Sequence, residues 1–163
     1  VENSWYYGTL PRTAWFDNAV SNLPIAASPD GYIYFQENGV DDGSTNPPSP
    51  ISSYIESSAI DMGDGDQFMF MSRVLPDLTF RNSTSTPSAT FEVSARDFPG
   101  ASFDQTNSGS AVRSATAPVE QFTEQLFFRL RGRSMALKVS SNTLGTQWRL
   151  GTPRADMRTD GRR

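Results

Sequence analysis

The stretch LFFRLRGRSMALKV, residues 126–139, decides how the whole chain is read. Leu126, Phe128 and Leu130 alternate with Phe127, Arg129 and Arg131, and Met135, Leu137 and Val139 alternate with Ala136 and Lys138. Successive side chains of a strand point to opposite faces, so a period of two marks a strand with one buried face. The spacing predicts a hairpin of 124–131 and 134–141 that turns at Gly132-Arg133.

The same period recurs on the N-terminal side. Gln67 to Val74 (QFMFMSRV) places Phe68 and Phe70 on one face, with Met69 and Met71 on the other. Ala89 to Arg96 sets Phe91 and Val93 against Glu92 and Ser94, and Tyr32-Ile33-Tyr34-Phe35 precedes Glu37. Turn signals separate these runs: Pro29-Asp30-Gly31, Asn38-Gly39, Asp42-Gly43, Asp64-Gly65, Phe98-Pro99-Gly100, Gly132 and Asp160-Gly161. Asp or Asn before Gly accepts the positive φ of tight hairpin turns. Eleven Pro and 12 Gly in 163 residues leave no clean window for a long helix. The expectation is an all-β chain of antiparallel sheets, residues 1–163 forming one domain of about three short sheets, consistent with the final blades of a β-propeller. Two polar stretches interrupt the pattern: Asp41 to Pro50, predicted as an exposed loop, and Ala101 to Pro118. Excursions of that size from a sheet scaffold usually make contacts or carry function.

Composition narrows the chemistry. The chain has neither Cys nor His, which excludes disulfides, thiolate metal sites, a Cys nucleophile and a Ser-His-Asp arrangement. A hydrolase would have to rest on carboxylates, through pairs such as Glu37 with Asp41 or Glu120 with Glu124. Eighteen acidic residues always yield such pairs, and nothing in the sequence selects one. The densest acidic run, Asp61-Met62-Gly63-Asp64-Gly65-Asp66, supplies Asp61, Asp64 and Asp66 as metal candidates. It lacks the twelve-residue loop with a terminal bidentate Glu, so a plain Asp-Gly hairpin is the simpler reading. The chain begins with Val1 and shows no leader pattern or membrane-length apolar run, so a soluble segment of a longer polypeptide, with no membrane anchor, is expected. The Asn82-Ser83-Thr84 sequon carries no weight without a secretory context.

Charge is strongly polarised. Residues 1–80 hold two basic and eleven acidic side chains, a balance of −9, whereas 81–163 hold twelve basic and seven acidic, +5. From Arg129 onward nine basic residues face only Asp156 and Asp160. Arg129, Arg131 and Arg133 share a face if the strand continues, and Lys138, Arg149, Arg154, Arg158, Arg162 and Arg163 follow. Guanidinium groups repeated along one face can track phosphates without reading sequence. They can equally pair with carboxylates of a neighbouring subunit, since Arg is enriched at interfaces. The acidic first half favours the interface.

Certain stretches resemble a known family. Arg12-Thr13-Ala14-Trp15, Pro24-Ile25-Ala26-Ala27 and Asp30-Gly31-Tyr32-Ile33-Tyr34-Phe35-Gln36-Glu37-Asn38-Gly39 resemble the late blades of short-tailed phage tail proteins. So do Gly63-Asp64-Gly65-Asp66 with Phe68-Met69, and Pro76-Asp77. The end is the most specific part. Residues 129–139, then Trp148-Arg149-Leu150-Gly151 and Arg154-Ala155-Asp156-Met157-Arg158, are similar to the C-terminus of the tail nozzle, also called the packaged-DNA stabilisation protein or tail accessory factor. The resemblance implies a β-propeller subunit of a homo-oligomer, a hexameric ring around the DNA exit channel. It implies contacts with the portal-proximal adaptor, with tail fibre or spike proteins and with packaged double-stranded DNA. It also implies no cofactor, no catalysis, assembly in the bacterial host cytoplasm and residence in the virion. A full subunit of that family is several times longer than this chain. The rival expectations are a carboxylate-based tail polysaccharide hydrolase and a carbohydrate- or receptor-binding β-domain.

Overall fold

Every regular element in the computed structural model is a strand, and the structure describes residues 9–17, 22–98, 101 and 113–162. The chain divides into two compact units, residues 1–39 and 40–163.

The first unit is a three-stranded antiparallel meander of β1 (Ala14–Phe16), β2 (Ile25–Ala27) and β3 (Ile33–Phe35). The expected Pro29-Asp30-Gly31 turn joins β2 to β3. Ser28 N–H donates to the Tyr32 carbonyl at 2.9 Å, and Gly31 takes a φ of 88° that a side chain would resist. Register puts Trp15, Ala26 and Tyr34 in one row on one face. The other face receives Phe16, Ile25 and Phe35 in one row and Ala14, Ala27 and Ile33 in the next.

The second unit holds β4 (Asp41–Asp42), β5 (Ser49–Pro50), β6 (Ser53–Glu56), β7 (Ile60–Asp61), β8 (Met69–Leu75), β9 (Leu78–Thr79) and β10 (Ser88–Arg96). It continues with β11 (Ser114–Glu120), β12 (Leu126–Gly132), β13 (Ser134–Ser141), β14 (Arg149–Leu150) and β15 (Arg154–Thr159). One sheet runs β11-β10-β13-β6, with β7 also on β13, and a second runs β12-β8-β15. The two face each other across one core. Phe91 of β10 and Phe128 of β12 approach to 6.3 Å between ring centroids, and Met69, Met71, Val74, Val93, Val119, Met135 and Val139 are almost fully buried around them. Between Phe68 and Met71 the methionines take the core side and the phenylalanines the outer side, as the alternation requires.

Two predicted hairpins are instead corners between sheets. β12 pairs with β8, whereas β13 pairs with β10, β6 and β7, so the chain changes sheets at Arg133. The Asp64-Gly65 turn likewise links β7 of one sheet to β8 of the other. A turn signal between two alternating runs fixes the reversal but not the sheet that the next strand joins. At the first corner Gly132 is sterically required: a Cβ there would lie 2.7 Å from Ala95 Cβ and 3.1 Å from the Arg96 carbonyl oxygen. Arg133 N–H then donates to that carbonyl at 2.9 Å, which ties the corner to the facing sheet.

The Asp41 to Pro50 loop is exposed as expected, closed at its base by the short β4–β5 ladder. The polar stretch 101–118 is not wholly an excursion. Residues 102–112 lie outside the described set, but Ser114 to Pro118 opens β11, with Ala115, Ala117 and Val119 turned toward the core. Pro118 fits there because β11 is an edge strand.

Candidate functional site: an arginine-rich sheet face

The outer face of the β12-β8-β15 sheet gathers more charge of one sign than any other sheet face among the described residues. On β12, Leu126, Phe128 and Leu130 turn inward, which turns Phe127, Arg129 and Arg131 outward. On β15, Ala155 and Met157 pack against the core, leaving Arg154, Asp156 and Arg158 outside. The central strand β8 contributes Phe70, Ser72 and Arg73. With Arg133 just past β12, the face carries six arginines (73, 129, 131, 133, 154, 158) against Asp156 and Asp160.

A bulge makes this convergence possible. Between Arg73 and Met71 of β8 the register against β12 steps from Phe127 to Leu130, and against β15 from Asp156 to Met157. Ser72 and Arg73 therefore both point away from the core. Extra residues in a ladder increase twist and re-aim side chains. The shallow depression formed there is lined by Phe70, Ser72, Phe127, Phe128 and Arg129.

The arginines fall into two groups. Arg73 and Arg131 have carboxylate partners in the same chain. Arg73 Nη2 lies 2.6 Å from Asp156 Oδ2, and Arg131 donates from Nε to Asp160 Oδ2 at 2.6 Å and from Nη2 to the Asp160 carbonyl at 3.0 Å. Such half-exposed pairs contribute about 0–1 kcal/mol each. Phe68 lies beneath two guanidinium groups, Arg131 at 3.9 Å and Arg133 at 4.8 Å from its ring centroid, and Arg133 Nη2 also donates to the Arg162 carbonyl. Each such contact is worth about 0.5–1 kcal/mol at an exposed site. Arg158 sits 5.0 Å over Phe70. Among the described residues, Arg129, Arg154 and Arg158 have no carboxylate partner.

Sequence reasoning put Arg129, Arg131 and Arg133 on one face, and the shared stacking of Arg131 and Arg133 on Phe68 agrees with it. Arg154 and Arg158 join that face through β15. Lys138 does not: it lies on β13 of the other sheet, 3.8 Å from Glu56 and over Tyr54. Arg149 sits on the separate β14–β9 ribbon opposite Thr79. Arg162 pairs with Asp66 at 3.3 Å, and Arg163 lies outside the described residues. Arg73 was missed, because it comes from the acidic half of the chain and is three residues from Phe70, out of phase with it in a regular strand.

The carboxylate sites are less organised. Among the described residues no group of three or more Asp or Glu is placed to hold a metal ion. Asp61 ends β7, Asp66 is engaged by Arg162, and Gly63 and Gly65 take positive φ in the turn between them. Of the proposed carboxylate pairs, Glu37 belongs to the first unit and Asp41 to the second, where Asp41 accepts the Gly145 N–H at 2.7 Å. The two shifted titrations lie in the first unit. Hydrogen bonds from the Ser28 hydroxyl, the Tyr32 N–H and the Tyr34 hydroxyl hold Asp30 below the ordinary carboxylate range, and desolvation followed by the Asp30 hydrogen bond raises Tyr34.

No protein-family model matches the chain, and no curated protein matches it. Among the described residues no helix is long and apolar enough to cross a membrane.

Proposed function

We propose that the chain is a structural, non-catalytic subunit of a phage tail nozzle that works by assembly. In this reading it forms part of a homo-oligomeric, hexameric ring around the DNA exit channel, below the adaptor and beside fibre or spike proteins. Its two facing sheets are then neighbouring blades of a propeller completed by residues or chains beyond this one. The ring retains packaged DNA in the virion and passes it at infection.

The observation that carries the reading is the arginine face of β12-β8-β15. A flat, guanidinium-rich sheet face beside a shallow depression suits contact with a large, negatively charged surface better than turnover of a small substrate. Arg129, Arg154 and Arg158, which lack carboxylates of their own, are available to acidic groups of a neighbouring subunit. The partners already held by Arg73 and Arg131 favour a second reading, in which the face lines the channel and tracks DNA phosphates.

Particles assembled with Arg129, Arg154 and Arg158 replaced together by Ala, and separately by Lys, test the proposal. The interface reading expects failed incorporation with Ala and nearly as much harm with Lys, since Lys lacks the bidentate fork that a carboxylate prefers. The channel reading expects Ala particles that assemble but leak DNA, and Lys particles that behave normally. Normal assembly and normal DNA retention in the Ala variant would overturn both.

A further inference from the structure

The first unit has one closed face and one open one. On the closed face, Ala26 is 1% exposed in the row between Trp15 and Tyr34, and the Arg12 guanidinium lies 4.7 Å over the Tyr34 ring. The opposite face presents only Ala14, Phe16, Ile25, Ala27, Ile33 and Phe35, with no polar side chain among them. Phe16 is 54% exposed, Ile33 71% and Phe35 56%. Three strands of three residues are marginal alone, and a contiguous apolar patch of this kind marks a contact surface.

Charge selects the occupant. Residues 1–39 hold Arg12 against Glu2, Asp17, Asp30 and Glu37, a balance of −3. Pairing this face with its own copy about a two-fold axis would set like charges against each other. A suitable partner offers exposed apolar side chains within a positive surround, and the outer face of β12-β8-β15 does so. Phe127 there is 72% exposed beside the depression, and Arg129, Arg154 and Arg158 are without carboxylates among the described residues. The two surfaces are complementary in polarity and opposite in charge, yet they are different patches of one sequence. Contact between them in separate copies is head-to-tail, the geometry that closes into a ring or extends as a filament.

We propose that the apolar face of residues 14–35 in one copy docks on the Phe127–Arg129 face of a second copy. This deepens the assembly reading and rests on it, but it concerns self-association of the purified chain, which can succeed or fail without any particle. The absence of cysteine makes the test direct. Ala14→Cys and Ser72→Cys each place one thiol beside a proposed surface without removing a contact residue. Differently tagged single variants are mixed at high concentration and treated with a short bis-maleimide.

Cross-links between an Ala14→Cys copy and a Ser72→Cys copy are expected. They should decline at high salt and fall at least about tenfold when the second copy also carries Arg129→Glu and Arg158→Glu, because mismatched charge at such a contact costs several kcal/mol. Both arginines are exposed, and retained β-sheet circular dichroism would show that these changes leave the fold intact. Efficient cross-linking within the Ala14→Cys sample alone would overturn the proposal in favour of a two-fold contact. Cross-linking no better than in urea would also overturn it. So would a link formed within single molecules of the double-Cys variant at high dilution, which would mean that each copy covers its own face.

Discussion

Replacing Gly132 by Ala probes the corner where the chain passes from one sheet to the other. The added Cβ would meet Ala95 Cβ at 2.7 Å, the Arg96 carbonyl oxygen at 3.1 Å and the Arg96 nitrogen at 3.3 Å. Two of these neighbours are backbone of the central strand β10 and cannot swing aside as a side chain can. Relief requires β12 to retreat from β10, which loosens Phe128 against Phe91 and lengthens the Arg133-to-Arg96 hydrogen bond. Overpacking of this kind costs about 1–3 kcal/mol. For a unit of this size a loss of about 2 kcal/mol lowers Tm by roughly 6–12 °C. Differential scanning calorimetry measures it, with Gly43→Ala as the control. A Cβ at Gly43 meets nothing within 4 Å, so that change should be neutral or slightly stabilising. A Gly132→Ala variant melting within about 1 °C of the parent would refute the close approach at the corner.

Trp148 donates from Nε1 to the Ser53 hydroxyl at 2.9 Å, so Trp148→Phe should cost about 1 kcal/mol in urea unfolding beyond the change seen in a Ser53→Ala background. Calcium should leave Tm unchanged in both the parent and Asp64→Asn, because a ligand binding only the folded state must raise it; a dose-dependent rise would expose a site in the Asp61–Asp66 turn. Asp30 has a depressed folded pKa, so its contribution is present above the usual carboxylate value of 3.8 and is lost as pH falls through the lower folded value. Near-ultraviolet circular dichroism of Tyr34 should weaken over that acidic window in the parent, and Asp30→Asn should abolish that part of the titration.

Element existence was legible because it depends on local pattern. The alternation in 67–74, 89–96, 126–131 and 135–139 returned as β8, β10, β12 and β13. Partner choice was not legible. The short spacing at Gly132-Arg133 is compatible with a hairpin and with a corner, and the steric demand that decides between them comes from Ala95 and Arg96, nearly forty residues earlier. The strand at 114–120 was obscured for a related reason. Ala115 and Ala117 are small inward residues that a facing sheet can cover closely, and they read as polar-loop composition when the neighbouring Ser and Thr are counted with them.

The arginine face shows how far a one-dimensional pattern reaches. Arg129 and Arg131 could be placed together from sequence because they lie two apart in one strand. Arg154 and Arg158 needed only the pairing of β15 with β8, once their alternation against Ala155 and Met157 is respected. Arg73 needed something the sequence does not encode locally. A regular strand that buries Met69 and Met71 also buries residue 73, placing a guanidinium in the core. Burying that charge would cost several kcal/mol, whereas turning Ser72 and Arg73 outward together costs one irregular step in the ladder and lets Val74 take the inward position. The bulge is therefore the cheaper solution to an arginine at an inward phase. Its consequence is functional geometry: Arg73 reaches Asp156, Phe70 lies open to Arg158, and the depression beside Phe127 and Arg129 forms where the ladder is interrupted.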